Sequence, residues 1–295
     1  MLDRASTFSD PEVVELLRNH FIPVAIDQHY ERRQEDAEGE FYRKIARQGP
    51  REVGEETTQG HYLATADGTL LGYRNHRDPE VMKDVIRSAL KNFKPGKAPA
   101  IESGKVDTRW AYSAPEGGLV VRVNSKILGG YGVPESEYEQ LFQEGIGRDN
   151  LWIRKDEHEA LADGRIPLSL LLRMARFHFV DNTRGEPPMW EVEEVKTVSL
   201  DWREGHVEGR VHLVTNDDSR EFVAEIYGFI EAFEGEVTRF DLVVSGDFRG
   251  EGRYTRGAPK GYFPLGIRFT LADGSDIADA IPPQGSRGWI ENYIE

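Results

Sequence analysis

Val207-Glu-Gly-Arg-Val-His-Leu-Val214 puts Val207, Gly209, Val211 and Leu213 on one side and Glu208, Arg210 and His212 on the other. A period of two with an apolar face describes a strand that lies on a core and turns its other side to water. Val195-Lys-Thr-Val-Ser-Leu-Asp-Trp202 precedes it, and Arg220 to Phe229 and Val237 to Ser245 follow with similar texture. The connections Arg203-Glu-Gly205, Asn216-Asp-Asp-Ser219 and Glu234-Gly235 are too short for a crossover, so the spacing predicts an antiparallel meander. Another strand is expected from Tyr262 to Leu271, before Pro282-Pro283. Upstream, Leu119–Leu128 reads as a strand and Arg148–Arg154 as extended. Pro134–Glu144 and Lys155–Leu161 read as helices, as does Pro167–Phe179 at least through Ala175. Residues 105–295 are therefore expected to form an α+β domain, a curved antiparallel sheet or part-barrel with helices against it.

The first 95 residues have a different texture. Thr7-Phe-Ser-Asp-Pro-Glu12 opens a helix, with Ser9 or Asp10 as cap and Pro11 in the first turn. Val13, Val14, Leu16, Leu17 and Phe21 form its apolar face, and Phe21-Ile-Pro-Val-Ala-Ile26 reads as a buried strand ending at Asp27. A second helix is expected from Arg32 to Gln48, carrying Ala37, Phe41, Ile45 and Ala46. His61-Tyr-Leu-Ala64 and Thr69-Leu-Leu-Gly-Tyr73 flank Asp67-Gly68 as a hairpin. A last helix starts at Asp78-Pro79-Glu80, and Lys94-Pro-Gly-Lys-Ala-Pro99 reads as a linker.

Thr7-Phe-Ser-Asp-Pro-Glu-Val-Val-Glu-Leu-Leu17, Phe21 to Asp27 and Ala64-Thr-Ala-Asp-Gly-Thr-Leu-Leu71 together resemble thioredoxin-like proteins. The resemblance covers a third of the chain and implies an α/β thioredoxin-like domain over residues 1–95. In that family a strand and a Cys-x-x-Cys precede the first of these segments; here six residues do, and the chain has no cysteine. Gln59 stands where a cis-proline is expected. The expectation is a branch that kept the scaffold and lost the dithiol, the alternative being a chain that begins inside the family's domain. Arg176 to Trp190, with Arg239 to Asp247 and Gly250-Glu-Gly252, resemble an uncharacterised bacterial family that joins such a front to this back half.

The absence of cysteine excludes dithiol redox chemistry, disulfides, cysteine-ligated zinc and iron–sulfur clusters. With 37 Lys and Arg against 52 Asp and Glu, the net charge is −15, a field that repels phosphate backbones, so no nucleic-acid partner is expected. Apolar runs such as Leu168-Ser-Leu-Leu-Leu172 are far below the ~20 residues of a membrane span. No leader pattern opens the chain, so a cytoplasmic protein is expected, or an exported one if a leader has been removed.

The densest polar segment is Arg176 to Trp190. His178 and Asp181 are the candidate acid–base pair. Arg176, Asn182, Arg184, Glu186 and Trp190 are candidate binding residues, Arg184 being suited to clamp a carboxylate or phosphate. The competing account has Asp181-Asn182-Thr183 turning the chain while the arginines pair with nearby acids. Asp156, Glu157 and His158 point apart on a helix, and His178 has no metal-ligand spacing to His206 or His212, so neither metal nor cofactor is expected. Gly246 to Tyr254 is glycine-rich without the spacing of a phosphate loop. Three functions remain in view. The first is a non-redox binding or scaffold protein, with a protein or small molecule as partner. The second is a cysteine-independent hydrolase centred on Arg176–Trp190. The third is a ligand carrier built on the sheet.

Overall fold

The computed structural model describes residues 6–51, 57–96, 104–110, 112–286 and 293–294. They fall into two units, one within Asp3–Tyr112 and one within Ser113–Glu295.

In the N-terminal unit, Asp10 accepts the Val13 N–H at 2.9 Å and starts α1 (Pro11–His20). A short α2 (Gln28–Glu31) and α3 (Ala37–Ala46) follow. They are separate helices because the Asp36 carboxylate takes the Gly39 N–H at 2.9 Å, which caps a new start inside the stretch expected to be one helix. β1 (His61–Ala64) and β2 (Leu70–Arg74) form the expected hairpin, pairing Tyr62 with Tyr73 and Leu63 with Gly72. Gly68 at the turn has φ +82°, which suits glycine. α4 (Pro79–Asn92) sets Ile86 and Ala89 against Val13 and Leu63, the centre of the core. Lys83, almost enclosed on α4, reaches Asp10 at 3.3 Å and Glu12 at 3.4 Å and so ties α4 to α1.

The stretch from Phe21 to Ile26 is not a buried strand. It is exposed (Ile22 91%, Val24 74%) and enters no sheet among the described residues. A strand needs a neighbour's edge, and among the described residues β1 and β2 pair with each other and with no third strand. Among the described residues no parallel strand pair occurs, and no peptide bond is cis. The expected linker Lys94–Pro99 lies partly outside the described residues.

The C-terminal unit is built on one antiparallel sheet. Its strands are β3 (Leu119–Ile127), β4 (Ile146–Ile153), β5 (Val195–Arg203), β6 (His206–Val214), β7 (Glu221–Phe233), β8 (Glu236–Arg249) and β9 (Tyr262–Leu271). Their order is β4-β3-β9-β8-β7-β6-β5. The meander β5 to β9 matches the periodicity, and the β3–β4 hairpin extends it by pairing Ser125 with Ile267 and Val121 with Leu271. The two edge strands do not meet, so the sheet is open. Its inner face buries Phe222, Ile226, Phe240, Leu242, Phe263 and Phe269. α5 (Glu137–Gln143), α6 (Lys155–Ala162) and α7 (Leu168–Arg173) supply the helices, with α6 against β7 and β8 and α7 against β5. α7 does not continue to Phe179 as a regular helix. It widens over Met174–His178, where the Phe179 N–H reaches the Met174 carbonyl at 3.0 Å. No helix among the described residues is long and apolar enough to cross a membrane.

Candidate functional site

The segment Arg176–Trp190 folds back on itself. The Arg176 and Trp190 backbones and side chains close the loop, through Trp190 N–H to Arg176 O at 3.0 Å and Arg176 Nε–H to Trp190 O at 3.1 Å. The Trp190 indole is buried and donates to the Phe179 carbonyl at 2.9 Å. Arg220 stacks on it, 3.9 Å from the ring centroid, and its guanidinium donates to the carbonyls of Pro188 and Met189. Burial holds the Arg220 pKa down at about 10. Glu186 is exposed, but it is not free.

Inside the loop the polar groups are matched to one another. Asp181 accepts the Thr183 N–H at 3.1 Å and hydroxyl at 2.7 Å with one oxygen and pairs with Arg184 through the other. Arg184, with no side-chain exposure, also donates to Thr255 O at 3.0 and 3.1 Å and to the Tyr131 hydroxyl at 2.9 Å. Burial raises the Tyr131 pKa against the opposing pull of Arg184. The Asn182 carboxamide accepts from Ser125 Oγ of β3. That approach needs Gly147 in β4, since a Cβ there would fall 1.8 Å from Asn182 Oδ1. Asp181 thus serves Arg184 and Thr183, while His178 meets Tyr293 and Asp149.

The His178 ring is fully enclosed. Its Nε2 lies 2.6 Å from the Tyr293 hydroxyl, and that hydroxyl accepts the Trp152 N–H at 3.3 Å. The other ring nitrogen, Nδ1, lies 3.3 Å from Asp149 Oδ2. That spacing is an ion-pair distance without hydrogen-bond alignment, so Nδ1 has no well-formed partner. Asp149 is held by the Asn150 and Gln284 N–H groups, both at 2.9 Å to its other oxygen. Beside it, Arg173 meets Glu157 at 2.6 and 3.0 Å, with both side chains buried. Burial raises the Tyr293 pKa well above its ordinary value. Asp149, Arg173 and Tyr293 were not legible in the sequence, because they converge from separate elements, and Glu157 reads there only as one of three divergent residues on a helix; Tyr293 lies 115 positions from His178.

The remaining candidates diverge. His158 uses both ring nitrogens, toward Gly117 O at 3.0 Å and the Val237 N–H at 3.2 Å, while Asp156 pairs with Arg154. His206 packs on Phe229, and His212 meets Glu221 at 2.9 Å, away from the enclosed His178. No metal-binding group of His, Cys, Asp and Glu occurs among the described residues. In the glycine-rich loop, Glu251 accepts the Gly257 and Ala258 N–H groups at 2.7 and 3.2 Å, so a carboxylate of the chain occupies those donors.

Compared with protein-family models, curated proteins and solved structures, the chain matches none.

Two concavities lie elsewhere. One, of about 500 Å³, is lined by Pro50, Arg51, Tyr73, Arg74, Asn75 and His76 of the N-terminal unit. The other, of about 600 Å³, lies between the end of α6 and the hairpin tips, with Leu161, Trp202, Glu204, Ile230 and Phe233 in its walls. Neither is lined by a residue of Arg176–Trp190.

Proposed function

We propose that this chain is a non-redox binding protein whose N-terminal unit, similar in sequence to a thioredoxin scaffold without its dithiol, offers Phe21–Ile26 to a strand of a protein partner. One observation carries this reading. The segment belongs to no helix or strand, it alternates Ile22, Val24 and Ile26, and these side chains are exposed. Among the described residues the N–H groups of Ile22, Val24, Ala25 and Ile26 have no protein partner. Free ladder donors beside exposed β-branched side chains are the elements of recognition by strand addition. Pro23, which lacks a donor, limits the ladder and suits an edge position. The hydrolase reading draws no comparable support, since His178, Asp181 and Arg184 are enclosed and bonded to other residues of the chain.

The test is a peptide-display selection on the full chain, with the I22D/V24D double variant as counter-target. The selected peptides should be extended and apolar at alternate positions, and they should lose binding to the variant at least tenfold, ~1.4 kcal/mol. Peptides that bind both chains equally would sink the proposal, provided the variant melts at the wild-type temperature.

A further inference from the structure

The geometry points to the seat of Tyr293 as a peptide-recognition pocket for a tyrosine, its backbone carbonyl and the carbonyl that follows, which this chain fills with its own Tyr293-Ile294 and which the same segment of a second copy can enter. The walls come from residues 149–178: Trp152 on β4, Arg154 beside it, Arg173 at the end of α7, and Phe177 and His178 in the wide turn. Arg173 is aimed before any occupant is considered. Glu157 grips its guanidinium, and Glu157 itself accepts from Ser169 Oγ at 2.7 Å and the Arg154 N–H at 3.0 Å.

The occupant is read at three points. Its ring packs between Phe177 (centroids 5.1 Å) and His178 (5.8 Å), with the Arg173 guanidinium 5.6 Å from its centre. Its hydroxyl sits between the Trp152 N–H and His178 Nε2. Two successive backbone carbonyls are read by arginine: Tyr293 O accepts from Arg173 Nε–H, and Ile294 O accepts from Arg173 Nη2–H at 3.1 Å and from Arg154. The two polar side chains that do most of this reading, His178 and Arg173, are themselves enclosed, at 0% and 2% side-chain exposure. An ordinary core tyrosine is held by its side chain. Here two consecutive carbonyls are bound as well, and these belong to any peptide of the same sequence. An identical segment from a second copy would therefore meet the same groups, as in domain exchange.

The experiment uses the full-length chain and a labelled synthetic peptide of residues 289–295, Trp-Ile-Glu-Asn-Tyr-Ile-Glu. The peptide should bind Tyr293→Ala at least about tenfold more tightly than wild type, whose tethered segment competes at high effective concentration. A peptide with phenylalanine in place of the tyrosine should bind that variant about tenfold more weakly, having no hydroxyl for His178 and Trp152. Equal affinity for the two chains, equal affinity of the two peptides, or no binding to a folded Tyr293→Ala chain overturns the proposal. If that variant does not fold, Ile294→Cys supplies the chain's single thiol and keeps the backbone carbonyl. Saturating peptide should then speed thiol labelling by displacing the tail, and an unchanged rate overturns the proposal.

Discussion

Arg184 and Asp181 illustrate how a polar run in a sequence can be an internal structure. Both are buried, and each further donor and oxygen of the pair is engaged by Thr183, Tyr131 or Thr255. Removing one partner leaves an unpaired charge in the interior, so Arg184→Met should destabilise the C-terminal unit by ~3–5 kcal/mol in urea denaturation. The double change Arg184→Met with Asp181→Leu should recover most of that loss, because it removes both charges. A single variant within ~0.5 kcal/mol of wild type would show that water reaches the site. The residue types of Arg176–Trp190 were visible in the sequence; their partners were not, because Thr255 lies 71 positions and Ser125 57 positions away. His178 is the same case, since its neighbours arrive from β4 and from Tyr293.

At the scale of elements, α2 and α3 bring acids together. Burial, with Glu38, Asp36 and Asp27 nearby, raises the Glu31 pKa from 4.5 to about 7, and one of its oxygens has no hydrogen-bond partner. The folded value lies above the unfolded one, so the folded state holds the proton more tightly. Stability from this group is complete below pH 4.5 and is lost as pH rises to about 7. Glu31→Gln should therefore leave stability at pH 4 unchanged and raise it at pH 8 by ~1 kcal/mol, a figure reduced because water still screens part of the carboxylate. Equal effects at the two pH values in parallel melts would contradict this origin. The elements themselves were largely readable. β5 to β9 follow from period-two alternation, and α1 and α4 start at Asp10 and Asp78, whose carboxylates take N–H groups of the first helical turn, whereas the Asp36 cap of α3 falls inside a stretch that reads as one helix. Phe21–Ile26 has the composition of a strand and is not one, since strand propensity expresses a fit to neighbours, and among the described residues none pairs with it.

For the whole molecule, charge sets the expectation. A net charge of −15 makes self-repulsion a standing destabilising term that salt screens. Raising ionic strength from ~0.01 to ~0.1 M shortens the Debye length from ~30 to ~10 Å, and the melting temperature should rise across that range. A falling temperature in a calorimetric salt series would mean that surface pairs such as Arg249–Asp218 and Arg87–Glu12 outweigh the net repulsion. By itself the sequence determined what is local or compositional: the absence of dithiol chemistry, the helix starts at Asp10 and Asp78, the hairpin turn at Asp67-Gly68 and the alternating strands of the meander. Tertiary structure alone decided that β3 and β4 join the free edge of β9, that Asp181 serves Arg184 and not His178, and that Tyr293 is seated beside His178. Those outcomes depend on groups far apart along the chain, and short-range periodicity holds no information about which distant partner completes a ladder or neutralises a buried charge.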